Sequence, residues 1–503
     1  MSEQIGHNCG FAVLFDPQKR DIVPDGLGMI RELQHRGQKA WGRAGIGLDD
    51  HQMWVRRSKG LIVDGMNDAL RNDTRSSAVV IHTRYNTAGD QPNSSDDERS
   101  HPRIVRIPNS NDDIAVVHNG TVANIQNAIN ELKRADIHID RPWDTEVIAQ
   151  LLGLRISQMN GDVIQATKSI LELQGAKNLG LLMQDSAYAF RDPQGFHPLF
   201  FAENDGKMAV ASEDIAIRKV WGSRTQVRNM KPGELVHMTN AGPVFHQIAE
   251  PKEAHCAFEW IYFMNRLSSM DHVSVESLRY MLGEMLAEGD EELWKKNPLI
   301  VPVPESARVA AMGYQHASNQ RYVDLMLARG GRSFIEDLQS RLNKVQNKYD
   351  IHPNLVRGQP IILLDDSIVR GTTLFSLIER IKNEAGPTEI HLRIACPPIS
   401  GPCFYGIDLK GMDDLFVRSH FGSLLDGEGA LPNHVLQAMA RQLKVDSIKF
   451  VRVSDVPKAL GIAFNKLCMA CMTGQYPTDE GQKLFQLEFD SYQQKRTGQN
   501  AAI

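Results

Sequence analysis

The sequence PIILLDDSIVRGTT at residues 360–373 decides the fold of the second half of the chain. Its apolar run 361–364 is typical of a strand that is buried on both faces of a parallel sheet. The polar and glycine residues that follow the run are Asp365, Asp366, Ser367, Arg370, Gly371, Thr372 and Thr373. The two threonines are predicted to cap a helix, because apolar residues recur beyond them at helical spacing.

A strand that leads through two carboxylates into a helix is suited to a sugar phosphate. Loop amides and a helix N-terminus bind phosphate, and carboxylates can accept hydrogen bonds from ribose hydroxyls or help to hold Mg²⁺. The order of these features matches the ligand position of doubly wound sheets. The alternative interpretation is a surface turn with a chance acidic pair.

The same stretch resembles the phosphoribosylpyrophosphate (PRPP) motif of type I phosphoribosyltransferases. The form DDSIVRGTT is similar in particular to that of the glutamine-dependent amidotransferases of purine synthesis. The resemblance implies that the residues named above, from Asp365 to Thr373, bind PRPP, with Asp365 and Asp366 also near Mg²⁺.

Two further segments of this half resemble the same family. The run LIVPVP at 299–304 predicts a strand that ends next to Ser306, and the resemblance places Ser306 near the pyrophosphate or its Mg²⁺. Arg332 and Lys348 are similar to residues of a mobile loop that closes over PRPP. Residues 326–329 read MLAR where the family usually has Lys-Asn-Arg-Tyr, so the sequence does not predict how this loop closes.

Composition excludes several functional classes. The 503-residue chain has a formal net charge of −5 with both signs spread along it, so it lacks the basic surface typical of nucleic-acid binding. It has no apolar stretch long enough to span a bilayer, and its first residues lack the basic and apolar regions of a signal peptide. We therefore expect a cytoplasmic protein of two or more domains that binds neither nucleic acid nor membrane.

The N-terminal half carries a second set of motifs, which begins with Asn8-Cys9-Gly10 before an apolar run that predicts a strand. The motifs that follow are LQHRGQ (33–38), HTRYNTAG (82–89), HNG (118–120), DTE (144–146), RDPQGFHPL (191–199), ASE (211–213) and PGE (232–234). In this order they resemble the glutaminase domain of the N-terminal-nucleophile amidotransferases. The resemblance implies an α+β domain built as an αββα sandwich.

The residue types suit amide hydrolysis, which requires a nucleophile, a base and donors to a tetrahedral oxyanion. An N-terminal cysteine supplies two of these, because its thiol attacks while its α-amine, with a pKa near ~8, carries the proton. The resemblance assigns Cys9 as nucleophile and Asn119 and Gly120 as oxyanion donors. It assigns Arg84 to the α-carboxylate of glutamine and Asp144 to its α-ammonium. From the residues alone, a surface ion pair and a tight turn remain alternatives for Arg84 and Asn119-Gly120.

Eight residues precede Cys9, so removal of the initiator methionine cannot expose its amine. We therefore predict cleavage between Asn8 and Cys9, as in relatives that are made with a short propeptide. A departure from the family lies downstream, where its Gln-Pro is replaced by either Gln91-Pro92 or His101-Pro102.

Four of the six cysteines form another pattern. Cys468 and Cys471 make a Cys-x-x-Cys, which alone is compatible with a redox dithiol or half of a zinc site. Together with Cys256 and Cys403, they match the positions that hold a 4Fe-4S cluster in the iron–sulfur branch of this family, and such a cluster needs four thiolates. Zinc in a Cys₄ site is the alternative. Cys396 has no match and is expected to be a buried strand residue.

The sequence thus predicts the sandwich domain followed by an α/β type I phosphoribosyltransferase domain with a mostly parallel sheet. The expected divisions are a propeptide at 1–8, a glutaminase domain at 9–250, a phosphoribosyltransferase domain at 251–460, and a tail at 461–503 with a disordered end. The resemblance implies conversion of PRPP, glutamine and water to 5-phosphoribosylamine, glutamate and pyrophosphate, the first committed step of purine (IMP) synthesis. It also implies Mg²⁺, a 4Fe-4S cluster, a homodimer or homotetramer, and inhibition by purine nucleotides.

Two alternatives to this function remain from the sequence. The chain could be a divergent paralogue that aminates another phosphoribosyl or nucleotide substrate, as the altered residues 326–329 suggest. It could instead be a non-catalytic regulator that binds PRPP or nucleotides.

Overall fold

The first half of the chain forms two antiparallel sheets and six helices within the residues that the structure, a computed structural model, describes: 9–84, 100–328, 349–409, 411–421 and 429–500. Its strands are β1 (Gly10–Phe15), β2 (Ala40–Gly47), β3 (Met53–Lys59), β4 (Ser76–Arg84), β5 (Arg103–Arg106), β6 (Asp113–Asn119), β7 (Asn178–Met183), β8 (Ser186–Phe190), β9 (Phe200–Asn204), β10 (Lys207–Ala211), β11 (Val227–Asn229), β12 (Glu234–Thr239) and β13 (Gly242–Gln247). Its helices are α1 (Val23–Glu32), α2 (Ile62–Asn72), α3 (Ile125–Arg134), α4 (Asp144–Gln158), α5 (Val163–Ser169) and α6 (Asp214–Trp221).

These elements stack in four layers. The first sheet has the order β11-β9-β10-β1-β4-β2-β3 and the second the order β13-β12-β8-β7-β6-β5. Along β1, Phe11 and Val13 lie in the core between the sheets, whereas Ala12 and Leu14 lie in the core that includes α1. This alternation follows from the two-residue period of a strand and explains why β1 is buried throughout. Helix α4 packs on the outer face of the second sheet, against β5 and β6.

The second half is organised around a parallel sheet. Its strands are β14 (His255–Cys256), β15 (Ser269–Met270), β16 (Val273–Ser274), β17 (Leu299–Pro302), β18 (Met326–Ala328), β19 (Tyr349–Ile351), β20 (Ile361–Asp365), β21 (Ile390–Ile394), β22 (Ser447–Phe450) and β23 (Leu467–Cys468). Its helices are α7 (Val275–Ala287), α8 (Glu291–Trp294), α9 (Arg308–Ser318), α10 (Thr372–Arg380), α11 (Phe416–Phe421), α12 (Asn433–Leu443), α13 (Asp455–Leu460), α14 (Ala470–Thr473) and α15 (Asp479–Asn500).

The predicted central strand is confirmed as β20. The sheet order is β17-β20-β21-β22 with all three pairings parallel, so β20 has a neighbour on each side. Its apolar residues 361–364 are fully buried. Asp365 and Asp366 therefore lie at the carboxyl end of β20, and ligands of this fold class bind beyond the carboxyl ends of the parallel strands.

The end of the chain differs from its prediction. The sequence predicts a disordered end at 493–503, but α15 continues to Asn500, and residues 501–503 lie outside the described residues. Three contacts hold this helix on the body of the protein: the Tyr492 hydroxyl donates to the Arg418 carbonyl oxygen at 2.6 Å, Lys495 pairs with Asp413, and Glu488 accepts from the Met412 amide. Polar composition alone does not reveal such contacts, which offset the entropy of ordering the chain.

Within the described residues, none of the helices is both long and apolar enough to cross a membrane.

Candidate active sites

Cys9 lies directly before β1, and its backbone is fixed from three sides. The Arg36 Nε donates to the Cys9 carbonyl oxygen at 3.3 Å. The next two amides donate to hydroxyls, that of Gly10 to Thr83 Oγ1 at 3.3 Å and that of Phe11 to Ser212 Oγ at 3.0 Å. These bonds come from both strands that flank β1, because Thr83 is on β4 and Ser212 follows β10. The thiol is thus attached to a rigid backbone.

Asn119 and Gly120 stand at the end of β6 in the facing sheet. Within the described residues, neither the amide nitrogen nor the amide oxygen of Asn119 has a hydrogen-bond partner, although the side chain is fully buried. Buried polar atoms without partners are rare and point to a missing ligand. Gly120 has φ +139°, and a Cβ there would lie 2.1 Å from the Ala176 carbonyl oxygen, so only glycine fits. Both features suit donors to an oxyanion.

Arg84 and Asp144, the two residues predicted to bind glutamine, are carried by different elements. The strand register pairs Gly10 with Thr83, which places Arg84 level with Cys9, and the Arg84 side chain is buried. Asp144 begins α4, and its carboxylate accepts from the Val122 amide at 3.0 Å. Two sheets and one helix thus carry the sequence-predicted glutamine residues.

Burial raises the pKa of Asp144 to about 6, and the bond from Val122 opposes this effect only in part. An ionised carboxylate is needed to bind the α-ammonium of glutamine. We therefore expect the KM for glutamine to rise about tenfold for each pH unit below 6, because the free enzyme then carries a protonated Asp144. The check is kcat/KM for glutamine hydrolysis between pH 5 and 8 in the wild type and in Asp144→Asn. A wild-type KM that stays flat to pH 5 would contradict the assignment.

Three buried histidines next to this site were not predicted as site residues. The rings of His82 and His101 lie 4.0 Å apart, and the Thr145 hydroxyl contacts His101 Nε2 at 2.7 Å and His118 Nδ1 at 3.4 Å. Burial lowers the pKa of His82 to about 3 and that of His118 to about 4, so both rings are neutral. His101 belongs to one of the two dipeptides, His101-Pro102 and Gln91-Pro92, that could stand in the place of the family's Gln-Pro. Gln91 lies outside the described residues.

The second site is built at the carboxyl ends of β17 and β20. Asp365 accepts from the Asp366 amide at 2.9 Å, and Asp366 accepts from the Ser367 hydroxyl at 2.7 Å and from the Ser306 hydroxyl. The structure therefore brings Ser306 to the acidic pair from a separate strand, as the sequence predicts. Arg370 lies 3.8 Å from the Asp414 carboxylate.

The predicted helix after this loop is present, but the predicted caps are wrong. Helix α10 begins at Thr372, its N-cap is Gly371, and no side chain bonds to the cap. Thr372 and Thr373 are instead in the first turn. Gly371 has φ +83°, and a Cβ there would lie 2.8 Å from the Phe416 ring, so a threonine cannot take its place. A first turn without a side-chain cap leaves backbone donors for an anion.

Two predicted PRPP residues, Arg332 and Lys348, lie outside the described residues, as does Arg329 of the altered segment. The described part of that segment, Met326–Ala328, is strand β18 and pairs with β19. Leu327 is exposed on this strand, whereas Met326 is buried.

Four cysteines lie around one small cavity. The cavity is lined by Cys256, Cys403, Cys468, Cys471, Phe196, His197, Pro402, Tyr405, Ile407, Ala470 and Tyr476. The parallel pairing of β14 with β23 sets Cys256 opposite Cys468. Cys396, in contrast, is buried after β21 and does not line the cavity.

Backbone amides point at two of these sulfurs. The Tyr405 amide donates to Cys403 Sγ at 3.4 Å, and amides of Gly406 and Ile407 also favour the thiolate of Cys403. The Ala470 amide does the same for Cys468, although burial still raises the pKa of Cys468 to about 12. Four buried thiolates would repel one another strongly, so the arrangement requires a cation if the thiols are to ionise.

A glutamine amidotransferase domain matches residues 88–219 of this chain. The amidophosphoribosyltransferase of Archaeoglobus fulgidus is 32% identical over 476 residues, which cover 93% of this chain and 98% of that protein. The amidophosphoribosyltransferase of Bacillus subtilis is 30% identical over 485 residues, or 94% of this chain and 95% of that protein. The solved structure of the glutamine PRPP amidotransferase from B. subtilis, complexed with ADP and GMP, is similar with a TM-score of 0.78 at 27% identity, covering 94% of this chain and 98% of that one. With both sites in place and relatives that match over nearly the whole length, this chain belongs to the amidophosphoribosyltransferase family.

Proposed function

We propose that this chain makes 5-phosphoribosylamine from PRPP and glutamine by joining the chemistry of its two sites, and that this is the first step of purine synthesis. The observation that carries the glutaminase half is the buried amide of Asn119 beside Gly120, which has no hydrogen-bond partner among the described residues. The transferase half is supported by the acidic pair Asp365-Asp366 between two serine hydroxyls.

In the glutaminase site, the α-amine of Cys9 takes the thiol proton as the sulfur attacks the amide carbon of glutamine. The side-chain amide of Asn119 and the backbone amide of Gly120 stabilise the oxyanion that forms. The C–N bond then breaks, ammonia leaves with a proton from the α-amine of Cys9, and water hydrolyses the thioester to glutamate. This scheme requires removal of residues 1–8, which lie outside the described residues. The intact mass of active enzyme should correspond to a chain that begins at Cys9.

In the transferase site, Asp365 and Asp366 accept hydrogen bonds from the ribose hydroxyls, and the first turn of α10 binds the 5-phosphate. Ammonia attacks C1 as the bond to pyrophosphate breaks, so positioning and electrostatic support of an oxocarbenium-like centre provide the rate enhancement. Two carboxylates and a serine fit Mg²⁺, which usually takes its other ligands from water and substrate phosphates. Mg²⁺ would neutralise charge on the leaving pyrophosphate.

One buried arginine is electrostatically coupled to both halves of the chain. Arg279 on α7 is buried and donates to the carbonyl oxygens of Trp260 and Met264. The carboxylates of both Asp366 and Glu213 act on Arg279 electrostatically, so it lies between the transferase site and the glutaminase domain. We propose that ammonia crosses this enclosed region, because ammonia released to water at neutral pH is protonated and loses its nucleophilic electron pair.

We propose that the four thiols hold a 4Fe-4S cluster and not a single zinc ion. Within the described residues, no three Cys, His, Asp or Glu side chains are gathered closely enough to hold one metal ion. The four thiols nevertheless line one cavity, and Cys403 and Cys468 receive amide hydrogen bonds, as cluster ligands do. A cluster held by all four thiols would cross-link the tail to the junction between the two halves.

We expect anaerobically purified enzyme to contain about four iron atoms per chain with a visible charge-transfer band and little zinc. The Cys403→Ser variant should lose most of the iron and most of the absorbance band, because Cys403 lines the cavity. Cys396→Ser should keep both, because Cys396 does not line it. Metal analysis together with absorbance decides the matter. Stoichiometric zinc without iron would contradict the cluster.

The test of the function is to incubate the enzyme with glutamine, PRPP and Mg²⁺ and to measure glutamate and pyrophosphate. PRPP-dependent release of both in equal amounts is the expected result. Glutamate without pyrophosphate would indicate a paralogue with another acceptor, and neither product would indicate a regulator.

Regulation, assembly and compartment follow the family in this proposal. The B. subtilis relative was solved with ADP and GMP, and we propose that purine nucleotides inhibit this chain as well. We also propose a homodimer or homotetramer. The six cysteines all lie within the described residues and form no disulfide with one another. We propose a cytoplasmic location, where thiols stay reduced.

A further inference from the structure

A buried ion network joins the two halves of the chain beneath Cys9. The Arg36 guanidinium is fully buried and donates to Glu213 Oε1 at 2.7 Å and to Glu259 Oε1 at 2.7 Å. Its Nε donates to the carbonyl oxygen of Cys9. Glu213 follows β10, the strand that pairs with β1, whereas Glu259 comes from the second half. Arg36 therefore connects the backbone of Cys9 to one carboxylate from each half of the chain.

The network continues to the thiol cavity through His197. His197 Nδ1 lies 2.9 Å from Glu259 Oε1, and His197 Nε2 lies 2.9 Å from the carbonyl oxygen of Tyr405. Because a carboxylate and a carbonyl only accept, the ring donates in two opposite directions. The amide of Tyr405 in turn donates to Cys403 Sγ at 3.4 Å. His197 itself lines the cavity.

We propose that His197 is a positioning residue for the nucleophile, and that through it the filling of the thiol cavity sets the reactivity of Cys9. This inference rests on the proposed roles of Cys9 and of the four thiols. The path is short and continuous: Cys403, Tyr405, His197, Glu259, Arg36 and Cys9.

The path is rigid, so a shift at one end must be accommodated at the other. The links from Cys9 to Tyr405 are buried and the link to Cys403 is part-buried. Charge-assisted hydrogen bonds in a dry interior are strong and directional. Ligation of Cys403 fixes the loop that carries Tyr405 and hence the carbonyl that holds His197. If His197 no longer restrains Glu259, Arg36 can follow that carboxylate away from the Cys9 carbonyl. A displacement of about 1 Å at a catalytic group can cost roughly 100-fold in rate.

The test measures Cys9 directly by its second-order rate of alkylation with iodoacetamide, with mass spectrometry to locate the label. In the metal-loaded full-length enzyme, His197→Ala should slow alkylation of Cys9 by about 10- to 100-fold. His197→Asn should restore part of the rate, because its amide nitrogen replaces Nδ1 toward Glu259. Removal of the metal should slow alkylation in the wild type but have little effect in either variant, since both lack the donor to Tyr405.

His391→Ala is the matched control, because His391 is also buried and bonded at both nitrogens, but to Glu389 and Ser447 in the parallel sheet. It should leave alkylation of Cys9 unchanged. Formation of phosphoribosylamine from PRPP and ammonium ions bypasses Cys9 and reports whether each variant is folded. A positioning role is supported if His197→Ala keeps this ammonium-dependent activity while its glutamine-dependent kcat falls and its KM for glutamine stays similar to that of the wild type.

Equal alkylation rates in wild type and His197→Ala would overturn the inference, as would a wild-type rate that does not respond to metal removal. If His197→Ala fails to fold, the comparison of His197→Asn with wild type, each with and without metal, decides. Loss of ammonium-dependent activity in the wild type itself would count against the proposed function and not against His197.

Discussion

Cys9→Ala is expected to abolish glutamine-dependent formation of phosphoribosylamine while ammonium-dependent formation continues near the wild-type rate. The thiol is the only group in the scheme that forms a bond to glutamine, so its loss should lower glutamine-dependent kcat by at least about 1,000-fold. The transferase residues lie on separate strands of another sheet and keep their geometry. The measurement is pyrophosphate release with either glutamine or ammonium chloride as the nitrogen source.

Cys396→Ala is the control for this experiment, since it removes another buried thiol that has no role in either reaction, although it lies within electrostatic reach of Asp366. Both activities should persist in it, with at most a small loss of thermal stability. Equal loss of the two activities in Cys9→Ala would mean that Cys9 supports the structure and not the chemistry. Intact-mass analysis of the wild type completes the test, because a fully active enzyme that still begins at Met1 or Ser2 would exclude the α-amine of Cys9 as the proton carrier.

Features that depend on neighbours in sequence were predictable. The run 361–364 has the composition of a strand buried on both faces, and the structure places it between two parallel neighbours. The order of the motifs indicated the glutamine residues, and the structure brings Asn119, Gly120 and Asp144 together. Local pattern carries this information, because side chains of one strand or one turn share the same backbone geometry.

Features that depend on partners far along the chain were not predictable. Arg36 and Glu259 are separated by 223 residues, and neither LQHRGQ nor ASE indicates that its charge is buried against the other half. The N-cap of α10 is a glycine, Gly371, and the Phe416 ring leaves no room for a side chain there. Residues next to Thr372 in sequence do not reveal this contact. The order of the tail likewise depends on Tyr492 reaching Arg418.

Asp365→Asn and Asp366→Asn are expected to lower kcat/KM for PRPP with glutamine and with ammonium alike. A hydrogen bond to a charged group contributes about 1.5–3 kcal/mol, so each substitution should cost about 10- to 100-fold. The fold-loss in kcat/KM of the double variant should approach the product of the two single fold-losses, provided that the carboxylates bind different hydroxyls. Asp366 has a further role, because its two oxygens accept from Ser306 and Ser367 and so join the ends of two strands.

This shared loss distinguishes the acidic pair from Cys9, whose removal spares the ammonium reaction. Glu379→Gln is the matched control: Glu379 lies on α10, the helix that begins at the site, but is partly exposed and pairs with Lys444. Its kcat/KM should stay within about twofold of wild type, because such a surface pair contributes little. If the aspartate variants instead lose only the glutamine-dependent activity, the pair acts on the glutaminase half and the assignment of the PRPP site is wrong.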